Sequence, residues 1–267
     1  MSKRYLYKYV SFDEKLLVLD IIDKYLIMFS HPDRFNDPFD CNPRYLDSKR
    51  PKTERPELFK AIHREELSPA DNRTLREQAI NRMSSGIKDG SLRDVILEEV
   101  GIISLSRTPW SVLMWSHYAE KHTGFMVEFE EKSSFSKDER PLDDKWLVSF
   151  KVQYSEDRPS LSYWGSDENE VDKLFTYKSK EWEYEQEERV IKHDGGAGVF
   201  PYAPELIVSV VAGANISQNH FELLIRAVKN ANKSRTKKIT LHRASIDQKK
   251  YRLNIPGFRR PRTTPEG

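Results

Sequence analysis

The chain has 267 residues, 37% hydrophobic and 32% charged, with 13 Phe, 12 Tyr and 5 Trp; at about 100–200 residues per domain this is one large domain, or one with an insertion, and its aromatic content argues for a core rather than disorder. Its single cysteine, Cys41, excludes an internal disulfide framework and any Cys-rich zinc or iron–sulfur site. The net charge is +2, no apolar run approaches the roughly 18 residues that span a membrane, and Met1-Ser2-Lys3-Arg4 leads into no signal-peptide core, so a reduced, cytoplasmic protein with no membrane partner is expected.

Tyr5 to Val10 read as a short aromatic strand. Ser11 suits the cap of a helix carrying Leu16, Leu17, Leu19, Ile21 and Ile22. Residues 25–30 are an apolar strand closed by His31-Pro32, followed by an irregular loop to residue 44 with three prolines. Residues 47–56 read as a connector. Residues 57–98 have helical period, with Leu58, Ile62, Leu75, Ile80, Met83, Ile87, Leu92, Val95 and Ile96 facing inward, and form a helical insertion over a sheet.

Strands then dominate. Gly101 to Ser106 is a buried run, 109–121 a short helix, Phe125–Glu130 a strand, 131–145 a charged loop and 146–154 another strand. Residues 167–183 read as helix, 187–192 as strand, and 194–204 as a Gly/Pro loop. Val208 to Gly213 is a core strand. Ser217 opens an amphipathic helix with Phe221, Leu224, Ile225 and Val228 inward, and 238–246 alternates as a strand. Helices and strands mix without regular alternation. The expected class is therefore α+β, one domain over 1–255 built on a mixed, mainly antiparallel split sheet, with a flexible basic tail at 256–267.

Three constellations are candidates for chemistry. The loop Phe35-Asn36-Asp37-Pro38-Phe39-Asp40 is either a self-bonded turn or a ligand-facing loop at a strand end. Ser104 and Ser106 precede Trp115-Ser116-His117-Tyr118; without a Gly-x-Ser-x-Gly elbow a hydrolase is not indicated, and Trp115 and Tyr118 are either core residues or a pocket rim. In Trp182–Val190, a strand from Glu185 sends Glu185, Glu187 and Arg189 to one face. They are either a structural ion pair or a site where a Glu bonds a sugar hydroxyl or stabilises an oxocarbenium-like charge.

No phosphate-binding loop is present, and the seven histidines offer only His117/His122, poorly spaced on a helix, so no metal is expected. Charge is uneven. Residues 226–262 hold 13 Lys/Arg against one acid, Asp247, whereas 1–225 hold 31 basic and 40 acidic residues. A basic end on an acidic body implies internal docking, a solvated face, or a polyanion partner such as nucleic acid.

Tyr5–Tyr9, the Phe35–Asp40 loop, Ser104–Ser106 with Met114–Ala119, Gly124-Phe125 with Glu128-Phe129, and Trp182–Glu187 with Arg189 together resemble the uncharacterised bacterial domain-of-unknown-function family 2971, in order over about residues 5–215. At fold level the layout also resembles the ADP-ribosyltransferases. That resemblance implies NAD as substrate, with Lys8 or Tyr9 on a first strand, Ser104 or Ser106 on a middle strand and Glu187 on a late strand; Lys8 stands where that fold carries His or Arg. It implies Glu187, Ser106 and Lys8 as catalytic residues. Tyr9, Asn36, Asp37, Ser104, Trp115, His117, Tyr118, Glu185 and Arg189 would contact the cofactor, in a stress or phage-defence enzyme. A small-molecule or nucleic-acid binding module without chemistry is the alternative.

Overall fold

The computed structural model describes residues 3–46, 65–132, 144–162, 170–193 and 195–258. Seven strands form the central sheet: β1 (Tyr5–Val10), β2 (Gly101–Ser106), β3 (Phe125–Glu130), β4 (Phe150–Lys151), β5 (Glu187–Lys192), β6 (Ile207–Ala212) and β7 (Thr240–Arg243). Their order across the sheet is β7-β6-β3-β1-β2-β5-β4. Only β6 and β7 run parallel; their connection is the helix Gln218–Ala231. The fold is α+β and mainly antiparallel, as expected. No described helix is long and apolar enough to cross a membrane.

Both faces of the sheet are covered, so alternation puts different residues into two cores. Leu6, Ile103, Leu105, Val127, Val190 and Val210 pack on one side with Ile22, Ile27 and Leu224. Tyr7, Tyr9, Met126 and Val211 pack on the other with Met114, Trp115, Leu253 and Phe258. A third cluster joins the end of the helical insertion to the loops: Cys41, Leu97, Val100, Ile102, Leu174 and Phe175.

The sheet splits between β1 and β2. Their pairing is the single register pair Tyr7–Ser106, whereas β1 pairs with β3 along all six of its residues. Beyond that pair, Lys8 reaches over and donates to the Ser104 carbonyl at 3.0 Å. The gap so opened faces β5, which pairs with β2 from Glu187–Ser106 to Lys192–Gly101.

Several elements depart from the sequence reading. No helix starts at Ser11: Leu16 sits at φ 57°, and helix is confined to Leu17–Leu19 and Asp20–Asp23. The cause is local, because Asp13 takes the Leu16 and Leu17 amides through its carbonyl and carboxylate. The insertion forms helices Pro69–Asp89 and Ser91–Glu98, but Val95 and Ile96 are exposed and Leu97 supplies the core contact; Leu58, Ile62 and the 47–56 connector lie outside the described residues. The 146–154 strand is two short pieces, because the Val152 amide bonds the Glu187 carbonyl. The 167–183 helix ends at Thr176, followed by strand Tyr177–Ser179 and a 3-10 segment Lys180–Glu185. Gly198–Pro201 is a strand paired with Leu26–Phe29. On helix Gln218–Ala231, Ile225 is exposed while Ala227 and Ala231 are buried. Phe258, in the expected tail, is buried edge-on to Tyr7 and Trp110.

Candidate functional site

The split in the sheet is the mouth of a cavity of about 210 Å³. At about 30 Å³ per water, that is room for about seven waters. β1 supplies Lys8 and Tyr9, β2 supplies Ser104 and Ser106, the 35–40 loop supplies Asn36 and Asp40, and Tyr118, Lys178, Glu185 and Glu187 complete the wall.

The carboxylates are positioned by one backbone kink. Gln186 stands between them at φ 46°, turning the chain from the 3-10 segment into β5. A non-glycine residue there is uncommon and held by its surroundings: the Glu187 amide donates to Tyr154 Oη at 2.7 Å, and Ser106 Oγ donates to the Glu185 carbonyl at 2.6 Å. Glu185 and Glu187 thus reach one ammonium, Lys178 Nζ, at 2.6 and 2.9 Å. Asp40 lies 3.6 Å from the same nitrogen.

Arg189 lies beneath them, fully buried. Its Nε and Nη2 donate to the two Glu187 oxygens at 2.9 and 3.2 Å, Nη2 also to Asp40 at 2.6 Å, and Nη1 to the Phe175 carbonyl at 2.8 Å. Burial by itself would raise the Glu187 carboxyl, but Arg189 and Lys178 override it and hold it far below the usual carboxylate range. Glu185 moves the other way: burial and Glu187 raise it against the pull of Lys178. Tyr118 Oη donates to Glu185 Oε1 and accepts from Asn36 Nδ2 at 3.3 Å. Burial, then Glu185, pushes that phenol up, so it stays a donor. Burial lowers the Lys8 ammonium, with Glu187 opposing.

Eight of the twelve sequence candidates line the cavity: Lys8, Tyr9, Asn36, Ser104, Ser106, Tyr118, Glu185 and Glu187. Arg189 supports it from below. Ser106 Oγ is committed to backbone, since besides its bond to Glu185 it accepts from the Thr108 amide at 3.1 Å. Three candidates stand elsewhere. Trp115 is wholly buried, bonded through its indole to the Pro109 carbonyl and edge-on to Tyr9, so its ring is core and cannot stack on a ligand. Asp37 caps its own turn through the Phe39 amide at 2.9 Å. His117 is exposed and meets Tyr184 Oη at 3.0 Å.

Lys178 and Tyr154 were not singled out from the sequence, and Asp40 only as the last residue of the 35–40 loop. A helix over 167–183 would have hidden Lys178. The available signal was electrostatic: carboxylates crowded between residues 183 and 188 at the start of an inward-facing strand call for cations, and Lys178 stands just before them.

Residues 114–190 match the model of a family described as Protein of unknown function (DUF2971). This bears out the family resemblance over the segment that holds Tyr118, Lys178, Glu185, Glu187 and Arg189. No curated protein and no solved structure matches the chain.

Proposed function

We propose that the cleft is the active site of an enzyme that transfers a glycosyl group from NAD, cleaving its nicotinamide–ribose bond. The observation that carries this reading is the pair Glu185/Glu187: separated by Gln186, joined to one ammonium, and displaced in opposite directions. Carboxyl groups whose environments separate their proton affinities serve distinct acid–base roles.

Glu187 stays ionised and faces the positive charge that develops on the ribose as its bond to nicotinamide breaks. The bonding pair leaves with nicotinamide, which departs neutral. Water or an acceptor hydroxyl forms the new bond to the ribose carbon and gives its proton to Glu185, whose raised affinity suits a general base. Tyr118 holds Glu185 in place, and Asn36 holds Tyr118. Tyr9 offers an aromatic wall, and Lys8 a cation for a substrate phosphate or carboxamide.

The test is nicotinamide release from NAD by the purified chain, alone and with RNA, DNA or cell lysate, alongside Glu187→Gln. Release that is lost in a folded Glu187→Gln supports the assignment. No release under any of these conditions, or equal release by the variant, overturns it.

A further inference from the structure

The basic end of the chain divides into two populations once folded. Arg235 donates to the Pro204 and Ile207 carbonyls, Lys237 pairs with Glu130 at 2.6 Å, Lys238 bonds the Asn232 carbonyl, and Arg243 lies over the Phe221 ring. These cations dock the C-terminal elements onto the body. Among the described residues the ammonium groups of Lys249 and Lys250, like those of Lys229 and Lys233, make no hydrogen bond or ion pair, and Lys249 and Lys250 stand side by side on a hairpin, Ser245-Ile246 paired with Leu253-Asn254.

That hairpin is organised. Asp247 Oδ1 accepts the Lys249 and Lys250 amides at 2.9 and 3.1 Å, and its Oδ2 accepts Arg252 Nε at 2.7 Å. The carboxylate fixes the turn and presents Tyr251 fully exposed. Among the described residues no ring packs on Tyr251. Ile246, also exposed, and Val112 add apolar wall to a groove of about 430 Å³ that His122 and Asp247 also line.

We propose that this hairpin groove binds single-stranded nucleic acid: Tyr251 stacks on a base, Ile246 and Val112 contact its edge, and Lys249 and Lys250 neutralise the flanking phosphates. A base has a free face only in a single strand, and an aromatic platform beside cations is the sequence-tolerant way to use it. A duplex would leave Tyr251 against backbone. An acidic peptide would satisfy the lysines but leave the ring idle. The groove shares no lining residue with the Glu185/Glu187 cleft, so the inference stands independently of the NAD reading.

Fluorescence anisotropy with labelled oligo-dT and oligo-U of about twelve nucleotides, on the full chain, tests it. Binding should weaken as salt rises from about 50 to 200 mM. Tyr251→Ala should weaken it about tenfold or more with an unchanged salt slope, and Tyr251→Phe should retain it. Replacing both Lys249 and Lys250 by Ala should lower the slope by about 1.4, at about 0.7 per phosphate contact. Absence of binding at low salt, or affinity indifferent to Tyr251→Ala, overturns the proposal. So does displacement by poly-glutamate as complete as by unlabelled oligonucleotide, which would make an acidic peptide the occupant.

Discussion

Glu185 and Glu187 carry the same side chain and the same reference affinity, about 4.3. Their surroundings separate them: Glu187 has two cations, whereas Glu185 shares one and faces burial with a phenol as its other partner. The sign of each contribution to stability follows. Glu187, depressed in the folded state, stabilises above about pH 4.3 and loses that contribution as pH falls through its folded value. Glu185, raised, contributes fully below about pH 4.3 and loses its share as pH rises through its folded value. Urea unfolding across this range should therefore show opposite trends. Glu185→Gln, which mimics the neutral acid, should match wild type at acid pH and become the more stable of the two toward neutral pH, whereas wild type should gain on Glu187→Gln as pH rises from acid. Parallel trends would refute the assigned directions. Arg189 is the keystone of the same cluster. Arg189→Met leaves Lys178 as the one cation paired with Glu187 and Asp40 among the described residues, and removal of one partner from a buried ion pair costs about 3–5 kcal/mol. Arg189→Lys should not rescue it, because an ammonium cannot reproduce the fork on Glu187 while holding Asp40 and the Phe175 carbonyl. Equilibrium unfolding of both variants reads this directly.

At the scale of elements, the chain leaving β6 passes close to the residues that lead into β3, and Gly213 makes that approach possible. The Gly213 amide donates to the Gly124 carbonyl at 2.9 Å, and a Cβ on Gly213 would fall 2.1 Å from the His122 carbonyl oxygen. Gly213→Ala should therefore cost about 1–3 kcal/mol through forced backbone shifts, the usual scale of overpacking. Ser217→Ala should cost about 1 kcal/mol, since Ser217 Oγ accepts the His220 amide at 3.1 Å at the start of helix Gln218–Ala231. Urea midpoints would rank the two variants. The same comparison explains what could be read from the chain. β2, β3 and β6 are apolar runs buried on both faces, and β1 alternates aromatic and aliphatic residues between two cores, so their patterns are strong. The 3-10 segment Lys180–Glu185 and strand Tyr177–Ser179 have no such pattern: their residues face ions and solvent, and the polar stretch before them resembles a helix carried on. Trp115 was ambiguous for a different reason. A Trp at helical spacing suits a core or a rim equally, and only the Pro109 carbonyl waiting for its indole decides.

On the scale of the whole molecule, the cleft belongs to no single element. Lys8 comes from the first strand, Asn36 and Asp40 from an early loop, Ser104 from the middle, and Glu187 from near residue 190. The order Lys8, Ser104, Glu187 was visible along the chain, but their adjacency was not, because it depends on β1 and β2 parting after one register pair. Such a site exists only in the folded state, so anything that occupies it must stabilise the entire fold by mass action. A ligand at about 100 times its dissociation constant adds about 2.7 kcal/mol. For a chain of this size, at about 2–4 °C per kcal/mol, the melting temperature should rise roughly 5–10 °C. ADP-ribose, which keeps the ribose and pyrophosphate but has no nicotinamide to lose, should produce that shift without turnover. The shift should shrink in Lys8→Met and Asn36→Ala, which leave the Glu185–Lys178–Glu187 ion cluster intact, and should be unchanged in Tyr251→Ala, on a hairpin whose groove shares no lining residue with the cleft. A thermal scan with and without ADP-ribose decides it: an unmoved melting temperature at millimolar ligand removes dinucleotides from consideration for this cleft.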